Sequence, residues 1–515
     1  MSQINIDNKK RVAKNTILLY IRMFIVMGIG IYTGRIILDT LGVTDYGIYN
    51  VVGGIISIVA FFHSAITDAS QRFISYELGI RDKVRLRTVF CTSVIIHLFV
   101  SVIIVVLGET IGVWFVNTYL NIPESRLYAA NWVFQASIFV LVCKIMSVPY
   151  NSAIIAHEKM SAFAYISVIE VVLELASVFY LYITRCDKLI TYSILLLIIA
   201  FIIRMSYVVY CRINFSECKY SFCNDRKLVS QMLSYTGYSV IGSLGYVGRD
   251  QGINVLLNIF CGPTANAARG LGLLVSSKVN AFSHNFTTAL TPQITKQYAA
   301  GNLQTSKDLV YTGNRLSFFL LSIISMPFLL NSDQILNVWL TKVPVYADVF
   351  LKLSLISSLI YSMSVCLSRA IEATGHIKTF QSGVFILLIL ELPFGWLLLK
   401  LGAPPYAIML PTIISNVIAV FFRFFLIRHY LPIYNFREFL VAVFMRCTIV
   451  FILSYSVCSV ICTYIKGSFQ LLCISSILCL LFTALIIFYI GLKQSEKKYI
   501  MGKINNTFGR IKEKL

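Results

Sequence analysis

The chain has 515 residues, of which 57% are hydrophobic and only 13% are charged. A soluble domain has about 25% charged residues, so this composition excludes a water-soluble fold for most of the chain. The 44 Lys and Arg residues against 23 Asp and Glu residues give a net charge of +21. Because the basic residues stand in short segments between apolar stretches, they indicate membrane topology rather than nucleic-acid binding.

Apolar stretches of about 20 residues, long enough to cross a bilayer as a helix, recur along the whole chain. In chain order they are residues 16–38, 47–68, 88–108, 128–148, 162–183, 189–211, 236–260, 268–291, 313–331, 349–371, 379–400, 406–427, 441–465 and 468–491. The sequence therefore predicts an all-α polytopic membrane protein with about fourteen transmembrane helices.

The basic residues predict which loops face the cytoplasm. They are concentrated before the first apolar stretch, in residues 72–87, in residues 212–227 and in the C-terminal tail. This pattern predicts an even number of spans with both termini in the cytoplasm. The basic loop from Arg81 to Arg87 fits a topology signal that meets anionic lipid better than a substrate site.

No motif in the sequence indicates enzyme chemistry, a cofactor or a metal centre. There is no GxxxxGK[ST] loop, so a built-in ATPase is not expected. Of the thirteen cysteines, most lie in apolar stretches, and Cys218 and Cys223 form a CxxxxC pair without a second pair or a histidine cluster. We therefore expect reduced thiols that pack, no catalytic residue and no cofactor.

The chain contains a weak internal repeat. Three pairs of segments align without gaps: residues 41–44 with 261–264, 70–79 with 292–301, and 156–163 with 373–380. Their offsets are 262 − 42 = 220, 293 − 71 = 222 and 373 − 156 = 217 residues. Three patches at nearly one offset indicate a parallel repeat, in which spans one to six correspond to spans seven to twelve.

The repeat predicts the domain organisation. Residues 1–212 and 213–430 would each form a six-helix bundle, and the two bundles would be pseudo-symmetric. Residues 431–515 would add two further transmembrane helices and a basic cytoplasmic tail. This is the geometry of an alternating-access transporter, with the pathway between the halves.

The repeated segments belong to longer runs that resemble a known family. These are LGVTDYGIYNVVGGI (41–55), SQRFISYELG (70–79), AHEKMSAFAYI (156–166), RDQGINVLLNIFCGPTANAARGL (249–271), PQITKQYAAGN (292–302) and EATGHIKTFQ (372–381). They resemble Wzx-type flippases of the multidrug/oligosaccharidyl-lipid/polysaccharide exporter superfamily. The resemblance spans nearly the whole chain, and its motifs identify a family rather than a glycan.

This resemblance implies a function. Wzx-type proteins move undecaprenyl-diphosphate-linked oligosaccharide repeat units from the cytoplasmic to the periplasmic leaflet, for surface polysaccharide such as the O-antigen of lipopolysaccharide. It implies a transporter in the bacterial cytoplasmic (inner) membrane, with two helical bundles around a cation-lined cavity. Membrane lipid, the lipid-linked oligosaccharide, and the polymerase and glycosyltransferases of the same pathway are the partners it implies.

Arg249 and Asp250 are the clearest candidate site residues. An anionic diphosphate in a low-dielectric cavity requires cations, and buried cations in a membrane span are costly. Arg249 lies 249 − 236 = 13 residues into its span, about 20 Å deep, and Asp250, Asn254 and Asn258 form one polar stripe. A self-neutralising pair that packs the helix would explain the same residues. We favour a cavity site, with Arg249 on phosphate and Asp250 tuning it or carrying a coupling proton.

The next span carries a polar face that indicates a pathway or a partner helix. The face comprises Ser277, Asn280, His284, Thr287 and Thr291. Lys278 is one step round from this face and would be a second cation for the head group. His284 is a candidate proton carrier, although a single membrane histidine is more often a hydrogen-bonded packing residue.

Arg22 and Arg35 are further candidate substrate contacts, both in the first span. Their separation of 35 − 22 = 13 residues places them about 220° apart on a regular helix, so they do not share a face. Arg22 lies about two turns into the span and fits a cavity position. Arg35 lies near the outer end, where snorkelling to the interface is an alternative.

Glu170 and Glu174 are candidates for binding a coupling ion. They lie one turn apart on one helical face and could hold Na⁺ or a proton. They could equally pair with Lys144 or Arg204, and Glu391 is a weaker candidate of the same kind.

Two other functions are open. One alternative to the flippase is a drug/cation antiporter of the same superfamily, for which a predominantly acidic cavity is expected. The membrane cations Arg22, Arg249 and Lys278 argue against it. The other alternative is an enzyme, a membrane-embedded glycosyltransferase or polymerase. No loop is long enough for the large periplasmic catalytic region of such polymerases, so we do not expect an enzyme.

Overall fold

The computed structural model is helical in every element of the part of the chain that it describes, which confirms the all-α prediction. It describes residues 2–120, 122–219, 225–340, 342–465, 467–494, 496–498 and 501, with the backbone alone at residues 2–13, 31, 38, 43 and 53–65. Cys223 and most of the basic C-terminal tail lie outside the described residues.

Most predicted apolar stretches lie within one helix each. In chain order the helices are α1 (Ser2–Ile80), α2 (Lys83–Leu107), α3 (Val113–Thr118), α4 (Glu124–Ala156), α5 (Met160–Tyr180), α6 (Lys188–Asn214), α7 (Arg226–Cys261), α8 (Pro263–Ala299), α9 (Leu303–Trp339), α10 (Ala347–Ser362), α11 (Val365–Thr374), α12 (Ile377–Lys400), α13 (Met409–Tyr430), α14 (Phe436–Phe439), α15 (Arg446–Tyr464) and α16 (Phe469–Ile486). The first two predicted stretches, however, both lie in α1, which is broken at Gly42, and the stretch 349–371 is divided between α10 and α11. Short π-helical turns join α2 to α3 and α14 to α15.

Polar side chains just before several helices explain where those helices begin. The Asp82 carboxylate accepts a hydrogen bond from the Arg85 backbone N–H at 2.9 Å, at the start of α2. The Asp187 carboxylate accepts one from the Ile190 backbone N–H at 3.0 Å, at the start of α6. Such caps satisfy backbone donors that have no partner within the helix.

Ten helices in the described part of the chain are long and apolar enough to cross a membrane, or eleven if α10 and α11, bent by 43°, form one span. The protein is therefore a multi-pass membrane protein, and the predicted count of about fourteen stays a prediction. Helices α7 and α8 coincide with predicted spans but are not among the ten. Both are rich in Gly, Ser, Thr, Asn and charged residues, which lowers their mean hydropathy.

The backbone agrees with the internal repeat at three places where the chain turns into a left-handed conformation. The pairs are Gly42 and Gly262 (φ 77° and 77°), Arg81 and Gly301 (φ 68° and 75°), and Glu158 and Gly375 (φ 60° and 85°). Their offsets are 262 − 42 = 220, 301 − 81 = 220 and 375 − 158 = 217 residues. The first and third equal the offsets of the aligned sequence segments, and the second differs by two residues from the offset of 222 in its segment, so the helices of the two repeats break at equivalent or nearly equivalent positions.

The chain forms two compact units. Unit 1 comprises Met1–Leu244, Thr288–Ser306 and Glu372–Ser382. Within it α4 packs against α1, α2, α5 and α6, and it contributes many of the buried residues of that unit. The main apolar core of unit 1 includes Phe90, Tyr150 and Ile154.

Unit 2 comprises Gly245–Thr287, Lys307–Ile371 and Gly383–Leu515. Within it α10 packs against α13, and α15 packs against α16. The fully buried Arg315 of α9 forms an ion pair with Glu496, which ties the segment after α16 to this unit. The predicted domain boundaries near residues 212 and 430 stay predictions.

Candidate functional site

One carboxylate in unit 2 bridges two guanidinium groups. On α7, Arg249 Nη2 donates to Asp250 Oδ1 at 2.9 Å, and its Nε donates to the same oxygen at 3.2 Å. On α8, Arg269 Nη2 donates to that oxygen at 3.1 Å. Asp250 is therefore shared between a neighbour in sequence and an arginine 19 residues further along the chain.

Arg269 is the most deeply buried member of this group, with 2% of its surface exposed. Its Nη1 donates to Asn254 Oδ1 at 2.6 Å, so the predicted polar stripe of α7 supplies two of its partners. Its Nε is buried without a hydrogen-bond partner. The break at Gly262, followed by Pro263 at the start of α8, turns the chain between the two helices.

A second carboxylate, Glu391 of α12, lies on the other side of Arg249. Its Oε2 is 3.9 Å from Arg249 Nη1 and accepts a hydrogen bond from Thr412 Oγ1 at 2.6 Å. Only 3% of Glu391 is exposed, whereas 41% of the Asp250 side chain is exposed. The four charges balance, which is how buried ions in a membrane protein are kept stable.

Arg249, Asp250 and Arg269 border a cavity of about 310 Å³ inside unit 2. It is lined by Arg249, Asp250, Ile253, Arg269, Leu273, Ser276, Ser277, Asn280, Ser354, Ser357, Ser358, Met409 and Thr412. Among these lining residues there are two arginines and one carboxylate, so the lining has an excess positive charge. The volume is at the lower end of the range of about 300–1,000 Å³ for small-molecule sites.

Hydroxyl and amide groups form most of the remaining cavity wall. On α10, Ser354, Ser357 and Ser358 share a face because residues three and four apart are neighbours on a helix. Asn280 Nδ2 donates to Ser358 Oγ at 2.8 Å, and Ser276 Oγ lies 3.1 Å from Ser358 Oγ. The cavity therefore combines a guanidinium pair with a wall of neutral hydrogen-bonding groups.

The structure brings some predicted site residues into this cavity and leaves others outside its lining. Arg249 and Asp250 line it, as do Ser277 and Asn280 of the predicted polar face. Lys278 and His284 are exposed on α8 and are not among the lining residues.

The predicted site residues of the first repeat lie in unit 1. The Arg22 guanidinium lies 4.3 Å from the centre of the Phe163 ring, with Glu170 within electrostatic range. Glu174 interacts electrostatically with Glu170 and, as the alternative interpretation anticipated, with Lys144. Arg22 is half-buried, and its Nε is buried without a hydrogen-bond partner.

Arg35 lies in a different environment from Arg22, although both are on α1. Its side chain is exposed, as snorkelling to an interface would require.

Arg269 and the α10 serines are site residues that sequence reasoning missed. Arg269 stands at the start of the predicted span 268–291, where an arginine is expected to reach the interface. In the structure the helix begins earlier, at Pro263, so Arg269 lies inside α8 instead. Serines three and four apart in the stretch 349–371 were the available signal for the α10 wall.

Comparison with known proteins supports this architecture. Residues 239–397, which include the cavity residues of α7, α8 and α10, match the family model MatE. No curated protein sequence matches the chain.

Several solved structures share the fold. A MATE protein in the straight conformation has 13% identity and a TM-score of 0.69, covering 82% of this chain and 96% of that one. An outward-facing multidrug resistance MATE family transporter of the MOP superfamily has 12% identity and a TM-score of 0.68, covering 83% and 97%. A MOP superfamily transporter from Pyrococcus furiosus Vc1 (DSM3638), described as having a binding pocket of reverse polarity, has 12% identity and a TM-score of 0.65, covering 81% and 96%.

The protein therefore has the fold of the MATE transporters of the MOP superfamily. Its MatE match covers the middle of the chain, from α7 to α12. The more particular resemblance to Wzx-type flippases stays a prediction.

Proposed function

We propose that this protein is a membrane transporter that carries a substrate with an anionic head group. The observation that carries this proposal is the pair of arginines, Arg249 and Arg269, in the polar cavity of unit 2. Guanidinium groups bind phosphate oxygens through paired hydrogen bonds, and these hydrogen bonds are stronger in a low-dielectric site than in water. The MATE fold supports the transport part of the proposal.

The cavity wall favours a head group that also carries hydroxyls. Serine and asparagine side chains both donate and accept hydrogen bonds, as sugar hydroxyls do. We therefore propose an undecaprenyl-diphosphate-linked oligosaccharide, moved from the cytoplasmic to the periplasmic leaflet by alternating access. The diphosphate would contact the two arginines, and the first sugar would contact the serine and asparagine groups of α8 and α10.

Asp250 would act as an internal counter-ion in this mechanism. Without substrate, its carboxylate holds both guanidinium groups and offsets their charge. A phosphate would compete with Asp250 for the N–H groups of both arginines. It could also accept a hydrogen bond from Arg269 Nε, which has no partner in the structure. Such binding changes the equilibrium between two states of the transporter only if the contacts differ between them.

A drug/cation antiporter is the second candidate, and the comparisons with known proteins support it better than the flippase. The MatE match and the similar multidrug resistance MATE transporter both favour it. Its coupling ion would use Asp250 and Glu391, which lie on either side of Arg249. The cavity lining itself has two arginines and one carboxylate, which opposes a cationic substrate, while Glu391 on the other side of Arg249 supplies the balancing charge.

A deletion strain distinguishes the two candidates. The flippase predicts lipid-linked oligosaccharide accumulating on the cytoplasmic face and loss of surface polysaccharide, both restored by the wild-type gene but not by Arg249→Ala, which must still insert at normal levels. The antiporter predicts unaltered glycan and changed drug sensitivity. Normal surface polysaccharide in well-expressed Arg249→Ala cells would refute the role of Arg249.

A further inference from the structure

Unit 1 contains a set of contacts that joins the two sequence repeats at one end. The end is formed by the last turns of α1 and α8 and by the short turns after α4 and α11. Positive-inside topology predicts that all four segments face the cytoplasm. The internal repeat makes the end of α1 equivalent to the end of α8, and the turn after α4 equivalent to the turn after α11.

An ion pair connects the turn after α4 to the end of α8. Lys296 Nζ donates to Glu158 Oε1 at 2.8 Å, and Gln293 Nε2 donates to Glu158 Oε2 at 3.0 Å. The Glu158 side chain is completely buried. The backbone carbonyl of Glu158 also accepts a hydrogen bond from Asn15 Nδ2 at 3.1 Å. Both oxygens of the Glu158 carboxylate therefore bind residues of the C-terminal repeat.

The equivalent contact runs in the opposite direction. Arg72 Nη2, near the end of α1, donates to the Ala373 carbonyl at 3.0 Å, at the turn after α11. The Arg72 guanidinium also lies over the rings of Phe73, Tyr76 and Tyr235 at 4.6, 5.0 and 5.8 Å. Thus the turn of each repeat binds the helix end of the other repeat.

The helix ends also touch directly. Tyr76 and Tyr298, matched by the repeat, have ring centres 6.3 Å apart. A Cβ at Gly79 would lie 2.6 Å from the Lys296 carbonyl oxygen and 2.7 Å from the Cβ of Ala299. Only a glycine permits this approach, so the spacing of α1 and α8 depends on residue 79.

The backbone at Glu158 is the strongest sign that its side chain has a role. Glu158 has a left-handed conformation (φ 60°), which is costly for a residue with a Cβ. The equivalent position in the other repeat is Gly375, which adopts this conformation without that cost. A glutamate thus occupies a position suited to glycine, and its carboxylate makes the contacts with Gln293 and Lys296.

We propose that Glu158, Lys296 and Arg72 form a latch between the two repeats that closes this end of the protein and opens during transport. Access from the cytoplasm requires the helix ends and turns of the two repeats to separate there. The latch is held by one ion pair, one side chain-to-backbone hydrogen bond and aromatic contacts. Once separated, its charged groups can be hydrated at the membrane surface, which makes the contact reversible. The latch does not depend on the identity of the substrate.

Photo-crosslinking in lipid nanodiscs tests the latch without relying on cysteines. A benzoylphenylalanine in place of Tyr76 should capture the peptide that contains Tyr298 in the otherwise native chain, as measured by mass spectrometry. Glu158→Gln and, independently, Gly79→Ala should lower the capture yield several-fold. The charge exchange Glu158→Lys with Lys296→Glu should recover part of it.

Matched controls separate a latch from general loosening. Lys352→Met breaks an ion pair with Asp348 (3.2 Å) in unit 2, and Gly47→Ala adds a methyl group where no atom lies within 4 Å. Neither should change the capture yield.

Three results would overturn the latch. They are absence of the Tyr298 cross-link in the native background, equal yields in Glu158→Gln, Gly79→Ala and the controls, or full transport by Glu158→Gln in a complemented deletion strain. The phenotype that is restored in that strain, surface glycan or drug resistance, reports the substrate instead. Failure of the latch and failure of the proposed function therefore give different results.

Discussion

Replacing Arg269 by methionine tests whether the cavity binds anions. The substitution keeps a long side chain but removes the hydrogen bonds to Asp250 (3.1 Å) and Asn254 (2.6 Å). Asp250 keeps its bond to Arg249, so no carboxylate is left unpaired. We therefore expect a loss of stability of about 3 kcal/mol, near the lower end for two hydrogen bonds to a charged group and no more than the roughly 3–5 kcal/mol of a broken buried ion pair.

The effect on anion binding follows from the lost positive charge. Opposite charges about 4 Å apart interact by about 4 kcal/mol at an effective dielectric constant of about 20. Because Arg249 can take over part of the contact, we expect a loss of about 2–4 kcal/mol, or roughly 30- to 700-fold in affinity. Farnesyl diphosphate, a short polyprenyl diphosphate, is a suitable probe for measuring this affinity in nanodiscs.

Arg315→Met is the matched control, because Arg315 is also a buried arginine in unit 2 paired with a carboxylate. It should lower the thermal midpoint while leaving the affinity for farnesyl diphosphate within a few-fold of the wild type. Unchanged affinity in a folded Arg269→Met protein would refute the guanidinium pair as the anion site. Tighter binding of an organic cation by that variant would favour the antiporter.

Three further predictions follow from the same contacts. Asp250→Asn should raise the affinity for farnesyl diphosphate by about tenfold, or 1.4 kcal/mol, and lower the thermal midpoint, because both arginines lose their counter-ion; weaker binding would contradict its role. Arg22→Gln should reduce complementation of the deletion strain more than Arg35→Gln, because Arg22 is half-buried and Arg35 exposed; equal effects would count against a cavity position for Arg22. Although burial alone would raise the pKa of Glu217, hydrogen bonds from His157 and the backbone hold that pKa below its usual value. Its contribution to stability is therefore present above the unfolded-state pKa and lost as the pH falls through the folded-state pKa. His157→Gln should accordingly have a lower thermal midpoint than the wild type at neutral pH, and this difference should shrink as the pH falls.

The membrane helices could be predicted from the sequence because each needs an apolar stretch of about 20 residues. The stretches 88–108 and 189–211 correspond closely to α2 (Lys83–Leu107) and α6 (Lys188–Asn214), because a lipid-facing helix must be continuously apolar. Arg249 and Asp250 were predictable because charges within such a stretch are costly. These features are local, so one sequence is enough to reveal them.

The partners of each side chain were not predictable in the same way. Arg269 appeared to lie at the end of a span, and only the start of α8 at Pro263 places it beside Asp250. Glu158 lies between two predicted spans, and its partner Lys296 is 138 residues away. Contacts of this kind depend on how the helices pack, which apolar periodicity does not specify.

The three matched left-handed positions bear on how the two repeats are related to one another. Within this chain the two repeats have diverged so far that only short patches still align, yet their helices break at equivalent or nearly equivalent residues. The structural neighbours of this protein likewise share only 12–13% of its residues and most of its fold. Within this chain the positions of the helix breaks therefore agree between the repeats better than the side chains around them do, and they give a register for comparing the two repeats where residue identity is low.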